Sequence, residues 1–133
     1  MSANLRLFGD EYDMLSRAFE AADMAWWFME LPSGAINTSD HKSKMLGFSD
    51  PSAFVHYTSY TDLLHPDDYE KAMQAMRDHL EGKAPFYEVQ YRIKTAAGVY
   101  VTFYDKGRIV SQKDGDTIIA GIVIKVNDTP LSN

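Results

Sequence analysis

Apolar and polar residues alternate without a break from Tyr87 to Lys94: Tyr87, Val89, Tyr91 and Ile93 point one way, Glu88, Gln90, Arg92 and Lys94 the other. A period of two describes a strand with one face in a core and one in water. Ala97-Gly98 then supplies a residue tolerant of positive φ, which predicts a hairpin returning through Val99–Arg108. Before this strand the period changes. Tyr69, Ala72, Met73, Met76 and Leu80 recur at three- and four-residue spacing and predict one apolar helix stripe. Pro66 suits the first helical turn, Asp67, Asp68 and Glu70 complement the positive end of the helix dipole, Arg77 and His79 the negative end, and Gly82 is the stop.

Residues 8–23 predict an amphipathic helix in which Phe8, Tyr12, Leu15, Phe19 and Ala22 follow a 4-3-4-3 spacing. That stripe suits either a cap on the outer face of a sheet or the seam of a dimer, and the two are compatible. Met24–Leu31 reads as a first strand, Pro32-Ser33-Gly34 as a turn and Ala35–Thr38 as a short second strand. Ser39 or Asp40 is placed to cap a short helix through Leu46, and Asp50-Pro51 starts another helical piece. Residues 54–61 are aromatic and irregular. Ser111–Asp116 is polar and holds the turn signal Asp114-Gly115. Thr117–Val126 is apolar on both faces, as expected of a central, doubly covered strand. The order predicts an α+β fold: a five-stranded antiparallel sheet with helices on one face and an N-terminal amphipathic helix.

The length of 133 residues suits one domain, and 45% hydrophobic and 13% aromatic residues are enough for a core. A net charge of −6 argues against general binding to nucleic acid or to anionic membranes. With no Cys, disulfides, thiolate nucleophiles, Cys-ligated zinc and iron–sulfur clusters are excluded. No apolar run approaches a membrane span and no signal-peptide core is visible, so a cytoplasmic domain without direct membrane contact is expected.

Several stretches together resemble the PAS domain family, in the subclass common in bacterial and archaeal sensor histidine kinases and cyclic-dinucleotide signalling proteins. They are the helix entry Leu63-Leu64-His65-Pro66-Asp67-Asp68, the stretch Met45-Leu46-Gly47-Phe48-Ser49-Asp50-Pro51, the hairpin Tyr91–Gly98, Lys106-Gly107-Arg108, and Gly121-Ile122-Val123-Ile124. The resemblance covers roughly residues 20–128. It implies a helix (1–23) for capping or dimerisation, a sensor domain (24–128) and a tail (129–133). It also implies a non-catalytic sensor that binds a small ligand or a partner, forms a homodimer and regulates an effector such as a histidine kinase or diguanylate cyclase, in the same or another chain. Positions matching the family's pocket are Trp27, Met29, Phe54, Tyr57, Met73, Met76, Tyr91 and Phe103. Phe8, Tyr12, Leu15 and Phe19 are the dimer candidates. The family's usual terminal Asp-x-Thr is replaced by Lys125-Val126-Asn127, with Asp128-Thr129 out of register and Pro130 following, which puts the usual output linkage in doubt.

Two other readings stand beside the sensor. His65 with Asp67 and Asp68 has the composition of a general base with its orienting partner, as in a small cone-shaped α+β enzyme, or of a metal site. The bland explanation is that the carboxylates serve the helix N-terminus and His65 fixes the turn. A homodimerisation module with a filled core is the other, since Met and aromatic stripes usually fill space. His79, beside the apolar stripe, is the candidate haem ligand, set against a surface role at the helix end; His41 and His56 show no metal spacing. Without Cys, neither a cysteinyl-flavin adduct nor a thioester-linked chromophore can form, which leaves haem and noncovalent flavin as cofactor candidates.

Overall fold

The computed structural model describes residues 2–126, with side chains described from Glu11 onward. The expected tail, and the positions Asn127 to Thr129 that bear on output coupling, lie outside the described residues. Helix α1 spans Ser2–Ala21 and strand β1 Met24–Leu31; β2 is Ile36–Thr38 and α2 His41–Lys44. After a 3₁₀ turn at Pro51–Ala53 come α3 (Thr58–Thr61), α4 (Pro66–Leu80), β3 (Tyr87–Lys94), β4 (Tyr100–Lys113) and β5 (Asp116–Val126). The described strands form one antiparallel sheet in the order β2-β1-β5-β4-β3.

Strand β3 buries every second residue, as its alternation requires. It lies at a sheet edge, where unpaired backbone groups need cover. The approach to α4 supplies it. The His65 amide donates to the Arg92 carbonyl (2.9 Å), the Lys94 amide to the Leu63 carbonyl (2.8 Å), and the Arg92 amide to Asp68 Oδ2 (2.7 Å). The Arg92 guanidinium also donates to Asp68 from Nε and Nη2, each at 2.9 Å. Asp68 is therefore a clasp between helix and strand as well as a dipole partner. The Arg92 hydrogen bonds hold its carboxyl well below the usual carboxylate range, against the opposing effect of burial. Its folded pKa is depressed, so this stabilisation is present above the unfolded value of about 4 and fades as pH falls towards the lower folded value. Asp68→Ala is expected to cost about 2 kcal/mol at neutral pH, allowing for the half-exposed guanidinium, and to flatten the acid limb of stability in urea melts.

Several local expectations are corrected. Residues 58–61 are helical rather than irregular; a four-residue helix shows no periodicity. The turn expected at Asp114-Gly115 is present, both residues at positive φ, but the polar residues before it are strand: β4 and β5 pair on through Ser111↔Ile118, Gln112↔Thr117 and Lys113↔Asp116 as a solvated ribbon. Asp40 makes no capping hydrogen bond and Ser39 Oγ is buried without one; Asp50 does cap, accepting from the Ser52 amide at 3.0 Å. Strand β5 is central, but its outer row, Ile118, Ile122 and Ile124, is only half-buried, because α1 packs on β1 instead.

Candidate functional site

The inner face of the sheet and α4 bound a cavity of about 300 Å³ that is partly open to solvent. Its size is at the lower end of small-molecule pockets. Trp27, Met29, Tyr57, Met73, Met76 and Tyr91 line it, as do Leu31, Leu64 and Leu80. Two positions assigned to the pocket from sequence do not. Phe54 turns away to stack on Tyr60 (4.6 Å between centroids) and pack against Phe48. Phe103, fully buried with its ring 6.3 Å from Tyr91, belongs to the solid core.

Charge inside the cavity escaped the sequence reading. Asp105 of β4 and Lys42 of α2 both line it, at 5% and 6% exposure. Asp105 accepts hydrogen bonds from Trp27 Nε1 (2.7 Å), the Tyr91 hydroxyl (2.8 Å) and, more loosely, the Tyr87 hydroxyl (3.4 Å). Burial raises its pKa above the ordinary carboxylate value, although Lys42 and these donors oppose the rise. Burial, with the nearby Asp105 charge, lifts both tyrosines well above the ordinary phenol value. The Lys42 ammonium sits 4.0 Å from the Tyr60 ring centroid and makes no hydrogen bond or salt bridge among the described residues. The Tyr60 hydroxyl is buried; it lies near Thr38 and Ser43 but meets neither in hydrogen-bond geometry, and burial pushes its pKa up to about 12.

The sheet is shaped to hold this cluster. Gly107 and Gly121 are paired across β4 and β5, and the Trp27 indole lies over them: a Cβ on Gly107 or Gly121 would come within 2.8 or 2.5 Å of its Cζ2. Any side chain there would push the indole, and its bond to Asp105, off the sheet. Asp105 shares its strand parity with Phe103 and Gly107, so alternation along β4 carried the signal that it points inward. Lys42 lies on a four-residue helix among polar residues, where no periodicity marks it.

Burial lowers the Lys42 pKa to about 8, with Asp105 opposing. Because the folded value lies below the unfolded one, the unfolded chain binds the extra proton between pH 8 and 10.5, and stability rises with pH there. From about pH 10 the buried tyrosines act in reverse, since their pKa values are raised. Urea melts from pH 8 to 10 are therefore expected to show a gain of about 2 kcal/mol that Lys42→Met removes.

The enzyme-like triad does not meet the cavity. His65 Nδ1 accepts from the Asp67 amide (3.0 Å) as the helix cap, Asp68 is committed to Arg92, and none of the three lines the pocket. No cluster of three metal-binding side chains occurs among the described residues. His79 is buried rather than on the surface, and both ring nitrogens are engaged: Nδ1 with the Ala84 carbonyl (3.0 Å), Nε2 with the Ile109 amide (2.9 Å). The ring thus donates from Nδ1 and accepts at Nε2, and no nitrogen is left for iron. Haem ligation by His79 is contradicted because the ring closes the β4 backbone where β3 no longer pairs with it.

On the outer face, an open groove of about 690 Å³ runs between α1 and the sheet, lined by Tyr12, Leu15, Phe19, Trp26, Phe28 and Ile118 among others. Tyr12 packs edge-on to Trp26 (6.0 Å), so α1 caps the sheet. Tyr12 and Leu15 remain 59% and 61% exposed, and the Phe8 side chain lies outside those described.

Residues 35–123 match the family described as PAS fold. The chain belongs to the PAS family. It is similar to the sensory box histidine kinase/response regulator from Burkholderia thailandensis at 25% identity and TM-score 0.69, over 86% of this chain and 85% of that one. It is also similar to the N-terminal domain of a diguanylate cyclase with PAS/PAC sensor from Marinobacter aquaeolei (18% identity, TM-score 0.67, 77% and 94% covered). A light-oxygen-voltage domain whose mechanism was addressed with a flavin analogue shares the fold at 17% identity and TM-score 0.63, over 86% of each chain. No curated protein matches the chain. No helix among the described residues is long and apolar enough to cross a membrane.

Proposed function

We propose that this PAS domain is a non-catalytic sensor whose cavity under α4 binds a small ligand and, by its occupancy, regulates an effector such as a histidine kinase or diguanylate cyclase. The observation that carries the reading is the buried Lys42–Asp105 cluster at the wall of the cavity. Charged groups in a core cost stability that apolar residues of similar volume would not. A module built only to pack or to dimerise has no need of them. An acid–base enzyme would also place a carboxylate of raised pKa in a pocket, and Asp105 is one; here its oxygens accept from Trp27, Tyr91 and Tyr87 rather than standing free to meet a substrate.

The route outward is short. Trp27 faces the cavity, while its neighbours Trp26 and Phe28 face the opposite groove. A ligand that moves the Trp27 indole shifts β1 and the surface on which α1 lies. Such a switch works only if the ligand binds the two states with different affinity. The exposed Tyr12 and Leu15 suit a homodimer seam with α1 as its core. Leu15→Glu is expected to halve the solution mass measured by light scattering; an unchanged mass removes α1 from the interface.

Native mass spectrometry with an absorption spectrum tests the reading. A bound small molecule on the purified protein is the expected result. Flavin absorption would identify that molecule as noncovalent flavin. A bare polypeptide with no affinity for small molecules would favour the filled-core dimerisation module.

A further inference from the structure

Hydrogen bonding in the cavity is unbalanced. Asp105 is supplied with three donors, from Trp27, Tyr91 and Tyr87. Lys42 brings up to three N–H donors and uses none of them: Asp105 acts on it only at a distance, and its nearest described partner is the Tyr60 ring at 4.0 Å. What is missing is an acceptor, and for a buried ammonium an anionic acceptor is worth most. The remaining walls are largely apolar, with Met29, Leu31, Leu64, Met73 and Met76 prominent. Arg77, the other cation on the lining, is engaged with Glu70 and Gln74. One unpaired ammonium among apolar walls suits a monoanion and disfavours a phosphate dianion.

Resting on the ligand-binding reading above, we propose that the cavity takes a small monocarboxylate with an apolar body, its carboxylate on Lys42 Nζ and its body against Met73 and Met76. About 300 Å³ is the room of roughly ten waters, which limits the ligand to one aromatic ring or a branched aliphatic chain beyond its carboxylate. Asp105 takes up the indole and tyrosine donors, which leaves Lys42 as the unpaired donor on the wall.

The test is calorimetric titration of the full chain with 3-phenylpropionate, phenylacetate and 4-methylpentanoate, each against its primary amide. Carboxylates are expected to bind at least about tenfold more tightly than the amides, and Lys42→Met to abolish that preference. Met76→Trp, which fills the cavity, is expected to abolish binding of both. Equal binding of acids and amides, or a preference that survives Lys42→Met, overturns the carboxylate proposal and leaves the ligand reading standing. If neither class binds, the carboxylate proposal fails; native mass spectrometry of the same preparation then decides the broader reading, which survives if another molecule is bound and falls if the chain is bare and binds nothing. The acid-against-amide comparison on the unaltered chain holds even if Lys42→Met fails to fold.

Discussion

Asp105→Ala is expected to destabilise the domain by about 4 kcal/mol, a large share of the roughly 5–15 kcal/mol that holds such a domain together. The substitution removes the acceptor of the Trp27 indole and of the Tyr91 hydroxyl, which lie 2.7 and 2.8 Å away, and leaves both donors buried. It also removes the charge that partly offsets burial of Lys42. Orphaned buried donors and an uncompensated buried charge are among the few single-residue changes with effects this size. The melting temperature is expected to fall by roughly 15 °C. Asp105→Asn keeps an acceptor and should lose about half as much. Adding Lys42→Met to Asp105→Ala should recover part of the loss, since the stranded ammonium goes too. If Asp105→Ala melts within a degree or two of the unaltered chain, the cluster is not the organised site described here.

Gly121→Ala carries the second large effect, about 3 kcal/mol. Its new Cβ would stand 2.3 Å from the Lys106 carbonyl oxygen, 2.5 Å from Trp27 Cζ2 and 2.8 Å from Gly107 Cα. Two of those three atoms are backbone of the paired strand and cannot swing away. The remaining freedom is for the indole to lift, which breaks its bond to Asp105. In a Trp26→Phe background, Trp27 fluorescence should shift to the red as the ring leaves its buried seat, alongside the fall in stability. A stable Gly121→Ala with unchanged fluorescence would show that the glycine pair is not the platform for the indole.

Much of the frame was legible because one physical signal dominated each part. β3 alternates because one face is wet, and α4 repeats every three to four residues because one stripe is dry. The glycines of Lys106-Gly107-Arg108 and Gly121-Ile122 entered as motif positions; only their pairing under Trp27 explains why no Cβ fits. What sequence missed was set by tertiary neighbours. Lys42 is an ordinary polar residue on a short helix until Trp27 and Tyr60 close over it. His79 occupies a position that favours solvent and dipole, yet the end of β3 leaves the Ile109 amide unpaired and draws the ring inward. Phe54 and Phe103 were assigned to the pocket by type and order along the chain; neither reveals that one packs behind Tyr60 and the other beneath Tyr91. The polar Ser111–Asp116 stretch pairs as strand because a solvated ribbon needs backbone partners and no apolar face.

The space bounded by Trp27, Lys42, Met73, Met76 and Asp105 is the proposed ligand site. A crystal structure of the full chain as purified tests it most directly. Non-protein density is expected there, with an acceptor atom within hydrogen-bonding distance of Lys42 Nζ and the Trp27–Asp105 bond intact. Met73 and Met76 collapsed onto Tyr91 with no space between, and Lys42 turned out to solvent, would contradict it.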